Sequence, residues 1–122
     1  GPIAEWVRAG LASRSEDTRS AVRRFGQMCA ISAAFPAAIH LIAAYEDRLE
    51  EGLIQNVMAG GDSAGRGLLV GLVLGAWGGR AAIPDRWLSG LSAADEFTLW
   101  GLLALTFSQR EPSAEFQATP YY

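Results

Sequence analysis

The 122-residue chain contains no lysine, and its ten basic residues are all arginine. Apart from Arg19, Arg23 and Arg24 those arginines are scattered, and thirteen acidic residues bring the net charge to −3. A nucleic-acid partner calls for a clustered basic face, so that class is set aside. One cysteine, Cys29, excludes an internal disulfide framework and fits a reducing compartment; it reads as a small buried helix residue. One histidine, His40, excludes a histidine metal cluster and reads as a partly buried helix residue. A signal-peptide pattern is missing, and the apolar run from Gly67 to Gly79 falls well short of the roughly 20 residues that cross a bilayer. The expectation is a cytoplasmic protein with no membrane partner. Alternating apolar and polar residues are also missing over any length that would make a strand, so the fold class expected is all-α.

What the chain does contain is apolar residues at helical spacing. Half the residues are apolar and 19% charged, enough for a folded core. Ile3, Trp6, Val7 and Leu11 form one such series, closed by Gly10 and the polar run from Ser13 to Ser15. Ser15 or Asp17 can cap a second helix whose one face runs through Val22, Phe25, Met28, Cys29 and Ser32. Pro36 either kinks a long helix or opens a new one at Phe35, because it lacks the N–H of the i−4 bond. A shorter helix is expected from Glu46-Asp47 to Gly60, with Glu46, Asp47, Glu50 and Glu51 as a solvated acidic face. Pro84 suits the first position of a short helix bearing Trp87 and Leu88. A last helix should carry Phe97, Trp100, Leu103, Leu105 and Phe107. The expected organisation is one all-α domain or domain fragment over 1–110, a compact multi-helix bundle, followed by a tail over 111–122.

The stretch from Asn56 to Gly79 stands out. Gly60 and Gly61 can take the left-handed conformation that closes a helix, and Asp62 or Ser63 can cap the next one. Gly67, Gly71, Gly75 and Gly79 then recur every four residues, at a cost of roughly 3–4 kcal/mol against alanine. Such a helix is expected to be central, approached closely by a neighbour and buried on most sides. Phe25, Phe35, Trp77, Trp87, Trp100 and Phe107 should be buried with it, leaving some apolar surface for a homo-oligomer.

Gly60-Gly61-Asp62-Ser63, the Gly/Ala-rich helix after it and Ile83-Pro84-Asp85-Arg86-Trp87 together resemble the C-terminal part of the ADP-ribosylglycohydrolase family. The upstream run Ala34-Phe35-Pro36-Ala37-Ala38, followed by Ala44-Tyr45, agrees in spacing, so the resemblance covers about residues 27–91. It implies the C-terminal portion of that all-α fold and a hydrolase acting on the glycosidic bond of ADP-ribose. Two divalent ions, Mg or Mn, and an ADP-ribose-type small molecule as partner are implied with it. Asp62 and Ser63 stand at the first Asp and Thr of the family's Gly-Gly-Asp-Thr-Asp-Thr metal segment. Ala64 and Gly65 stand at the second Asp and Thr, so two ligands are missing, and the family's N-terminal Asp-Asp cluster has no counterpart. Arg66, four residues after Asp62, is a candidate substitute for the family's cation, expected within hydrogen-bonding reach of that carboxylate. The readings that remain are a hydrolase fragment inactive by itself, a non-enzymatic structural or interaction domain, and a relative that binds ADP-ribose-type ligands without cleaving them.

Overall fold

The computed structural model describes residues 1–91 and Gly101. Among them the chain is helical without strands: α1 (Pro2–Ala12), α2 (Thr18–Phe25), α3 (Ile31–Ala44), α4 (Leu49–Met58), α5 (Ser63–Gly78), a 3₁₀ turn (Arg80–Ala82) and α6 (Asp85–Gly90). It divides into two units, Gly1–Pro84 and Asp85–Tyr122. In the second unit α6 carries Trp87, with the Arg86 guanidinium 5.9 Å from its ring centre. The helix expected through Phe97, Trp100 and Phe107, and the tail over 111–122, lie outside the described residues apart from Gly101. No described helix is long and apolar enough to cross a membrane.

Local chemistry sets most helix ends. Pro2 begins α1 at the position where a missing N–H costs nothing. Asp17 caps α2, its Oδ2 accepting from Ser20 N at 2.9 Å. Glu46 and Asp47 do not begin α4 as expected: Tyr45 N closes α3 on Leu41 O, Arg48 N bonds back to Tyr45 O, and α4 starts at Leu49. Gly10 does not end α1 either. It is buried inside the helix, where a Cβ would lie 2.6 Å from Ile39 Cβ and 2.7 Å from the Pro36 carbonyl oxygen. Two helices cross there with no room for a side chain.

The central element of the first unit is α3, which packs against α1, α2, α4 and α5. Its buried positions are small (Ala33, Pro36, Ala37, Ala38) with His40 and Leu41, so neighbours come close on several sides. Pro36 sits inside this one helix and opens no new one. The break comes earlier, because Gly26 (φ +111°) ends α2 at Phe25 and α3 begins at Ile31, so Val22 to Ser32 do not share one helix face. The main core joins Ala38, Leu41, Leu49, Val70 and Leu74; a second cluster joins Val22, Ala37 and Ala59. This corrects the expectation of a central, mostly buried glycine-striped helix. On α5 only Arg66, Val70 and Leu74 are buried, while Leu68, Leu72 and Val73 are exposed and Trp77 is 75% exposed. The stripe faces α4 only at its start, with Gly67 against Asn56 and Gly71 against Leu53, and Gly75 faces open space. Phe25, Phe35 and Trp87 are half-buried, and Cys29 is exposed, not buried in a helix.

Candidate functional site

The residues singled out by the sequence meet at the turn from α4 to α5. Gly60 (φ +73°) and Gly61 (φ +68°) take the left-handed conformation that glycine adopts at low cost. Gln27, from the segment between α2 and α3, holds this turn from the other side. Its carbonyl accepts from Asp62 N at 2.8 Å, and its Nε2 donates to Ala59 O at 2.7 Å. Gly61 has no room for a Cβ, which would collide with the Gln27 carbonyl.

Asp62 caps α5, with Oδ1 accepting from Gly65 N at 3.3 Å. Ser63 is the first residue of the helix, and its carbonyl accepts from Asn56 Nδ2 at 2.8 Å. Arg66 is 1% exposed. Its Nε donates to Asn56 Oδ1 at 3.0 Å, and its Nη2 donates to Asn56 O at 3.2 Å and to Gly60 O. The guanidinium therefore caps the carbonyl end of α4, where the helix dipole favours positive charge. The expected hydrogen bond to Asp62 is not formed. Asp62 Oδ1 is taken by its own helix, and Nε and Nη2 are drawn to carbonyls that would otherwise be buried and unsatisfied. Burial pushes the Arg66 guanidinium below its ordinary value, and the Asp62 carboxylate opposes that shift. Nη1 is buried without a partner.

Beside this turn lies a cavity of about 330 Å³ between α3 and α5. Ile31, Phe35 and Leu69 give it an apolar wall, and Asp62, Gly65 and Arg66 form its polar end. Phe35 is held in turn by Trp6 of α1, edge to face with ring centres 6.4 Å apart.

His40 belongs to a separate, largely buried network. Its Nδ1 lies 2.8 Å from Ser13 Oγ and its Nε2 3.1 Å from Thr18 Oγ1, which lies 2.9 Å from the Tyr45 hydroxyl. Ser13 Oγ donates to Gly10 O at 2.8 Å, so it accepts from Nδ1–H. Nε2 then accepts from Thr18, and Thr18 accepts from Tyr45. Ser13 and His40 have the spacing of a nucleophile and its base, but both are 0% exposed and no substrate reaches them. Their role is to tie the end of α1 and the start of α2 to α3.

A profile of the ADP-ribosylglycohydrolase family matches residues 2–113. The chain belongs to the ADP-ribosylglycohydrolase family. The match extends well beyond residues 27–91, where the motifs lie. Searches of curated proteins and of solved structures returned no significant match.

The family's divalent ions do not fit the residues at the turn. Hard cations take six or more oxygens, usually with several carboxylates among them. Asp62 offers one carboxylate, already engaged as a helix cap, and Ala64 and Gly65 offer no side-chain oxygen. Among the described residues no group of three or more carboxylate, histidine or cysteine side chains converges. A buried guanidinium also occupies the ground beside the cap. Asn56 and Gln27, which hold the turn together, were missed in the sequence. For Asn56 the signal was a polar residue in the last turn of a helix just before a Gly-Gly pair; Gln27 carried none.

Proposed function

We propose that this chain is a portion of an ADP-ribosylglycohydrolase-like hydrolase acting on the glycosidic bond of ADP-ribose, and that it has no hydrolase activity by itself. The observation that carries this reading is Asp62 at the mouth of α5, on a left-handed Gly60-Gly61 turn, within a family match spanning residues 2–113. Ser63 follows it as the remaining oxygen-bearing side chain of the segment. In this reading the carboxylates that would hold Mg or Mn, and so supply an activated water, belong to a longer parent and not to this turn. The purified chain, given ADP-ribosylated substrate with Mg²⁺, should show no turnover above a no-protein control. Turnover that EDTA abolishes would refute the reading.

A second reading is favoured by the buried Arg66, whose Nη1 has no partner, in the wall of an apolar cavity: a relative that binds ADP-ribose-type ligands without cleaving them. Calorimetry with ADP-ribose separates it from the first, since binding without turnover supports only the second. We also propose a cytoplasmic homo-oligomer, supported by the exposed Val57, Met58, Leu68, Leu72 and Trp77 on α4 and α5. Light scattering that gives the monomer mass of 13.0 kDa at high micromolar concentration would refute the oligomer.

A further inference from the structure

Arg66 donates three hydrogen bonds, all of them from Nε and Nη2. They go to Asn56 and Gly60, and Nη1 takes no part in them. No carboxylate pairs with it: its three acceptors are the Asn56 amide oxygen and the Asn56 and Gly60 carbonyls. Nη1 is also the only buried side-chain nitrogen or oxygen among the described residues without a partner. A buried charged group with an unmade bond is costly, and in native proteins such a group calls for a reason. Arg66 forms part of the wall of the 330 Å³ cavity, at the end where α5 begins. A helix start presents backbone N–H groups and the positive end of the dipole, which favour an anion. The remaining wall, Ile31, Phe35 and Leu69 among it, is apolar, so it offers few other polar groups to whatever the cation holds.

We propose that this cavity is an oxyanion site that works without a metal: Nη1 of Arg66 donates to a phosphate or carboxylate oxygen at the start of α5, and the apolar part of the same ligand lies on Phe35 and Leu69. A small shift of the cavity wall, which contains the half-buried Phe35, admits the oxygen to Nη1. Asp62 works against the anion, because its carboxylate borders the same cavity and makes no hydrogen bond with Arg66. The sign of its effect distinguishes this site from a metal site. Where a cation bridges protein and ligand, the carboxylate helps binding; here it hinders it.

The inference goes beyond the glycosidase reading, and its test keeps the two apart. Inorganic phosphate and ADP-ribose are titrated separately into the ¹⁵N-labelled chain, in EDTA and in Mg²⁺, and followed by the Arg66 side-chain and Gly65 amide signals. Phosphate should shift both signals saturably, equally in EDTA and in Mg²⁺. Arg66→Lys, which keeps the charge but not the fork of donors, should weaken binding about tenfold. Asp62→Asn, which still caps the helix, should tighten it about threefold. Because Arg66→Lys can also disturb the fold, Ala34→Phe provides an independent arm: it fills the cavity from α3 without touching the Arg66 hydrogen bonds, and should abolish the shifts. Phosphate binding without ADP-ribose binding leaves the oxyanion site standing and removes the ADP-ribose readings. Binding that needs Mg²⁺, binding lost in Asp62→Asn, or no shift with either probe overturns the inference.

Discussion

Arg66 and Asn56 join α5 to the end of α4 through a buried pair of contacts, Nε to Oδ1 at 3.0 Å and Nη2 to the Asn56 carbonyl at 3.2 Å. Asn56 is held at both ends of its amide, because its Nδ2 donates to the Ser63 carbonyl at the first turn of α5. The side chain that would have been an exposed helix partner of Asp62 is instead a bolt between two helices. Arg66→Met should destabilise the unit by about 2–3 kcal/mol, since it strands Asn56 Oδ1 and two backbone carbonyls. Asn56→Ala should cost at least as much, because it leaves a second guanidinium nitrogen unpaired in a low-dielectric site. The double variant should lose less than the sum, by about 1 kcal/mol or more, when all four proteins are compared by urea unfolding. Strict additivity would show that the two side chains do not act together.

Gly10 is the second place where geometry permits no slack. Alanine usually stabilises a helix interior over glycine by about 1 kcal/mol. Here its methyl group would sit 2.6 Å from Ile39 Cβ and 2.7 Å from the Pro36 carbonyl oxygen, pushing α1 off α3. Gly10→Ala should therefore lower stability, by about 1–3 kcal/mol net. A variant that melts at or above the parent temperature would show that the crossing can open freely.

The third prediction concerns acid. Burial holds the His40 imidazole below its ordinary value of 6.5; its contact with Ser13 and the charge of Glu16 pull the other way, Arg24 adds to the lowering, and Asp17 opposes it. The unfolded chain takes up a proton near the ordinary value while the folded chain does not, so folding stability increases with pH across this range. The contribution is whole above 6.5 and is lost as the pH falls from there through the depressed folded value. Protonating Nε2 would set two donors against each other at Thr18, and the hydroxyls of Thr18 and Tyr45 would have to turn. Denaturant midpoints should fall from about pH 7.5 to about pH 5, and His40→Gln should flatten that part of the profile. A parent profile already flat over the same range would contradict this.

How much of this was legible in the sequence follows from the range of the interactions involved. Helix ends set within a few residues were readable: the Asp17 cap, the left-handed Gly60-Gly61 pair and the Asp62 cap are local chemistry. The all-α class followed from periodicity, and the family from residues 60–63 taken together with the helix after them, residues 83–87 and the run over 34–38. What failed depended on distant partners. The spacing of Asp62 and Arg66 suggested a pair along one helix, but the acceptors that claimed Arg66 belong to α4 and the turn after it. The glycine stripe suggested a centre, but small residues permit close approach without requiring it, and only Gly67 and Gly71 meet α4. The helix the fold is built around, α3, is marked by alanines, which periodicity weighs lightly. Gln27 reaches Ala59 across thirty-two positions of sequence, a contact no local pattern announces.

A fourth prediction follows from the turn itself. Gly61→Ala combines a strained φ with a collision against the Gln27 carbonyl, so it should cost more than the roughly 1 kcal/mol of left-handed strain alone. Gly75→Ala, on the open part of the same stripe, should be neutral or stabilising by up to about 1 kcal/mol. Equal losses at the two positions in a thermal melt would contradict this division of the glycines.

The most direct measurement of the central proposal, that this chain by itself holds no divalent ion at Asp62, is a Mn²⁺ titration of the purified chain read by electron paramagnetic resonance. The free Mn²⁺ signal should match a protein-free control up to millimolar metal, and Asp62→Asn should change nothing. Saturable loss of that signal at one or two sites per chain, abolished by Asp62→Asn, would contradict the claim.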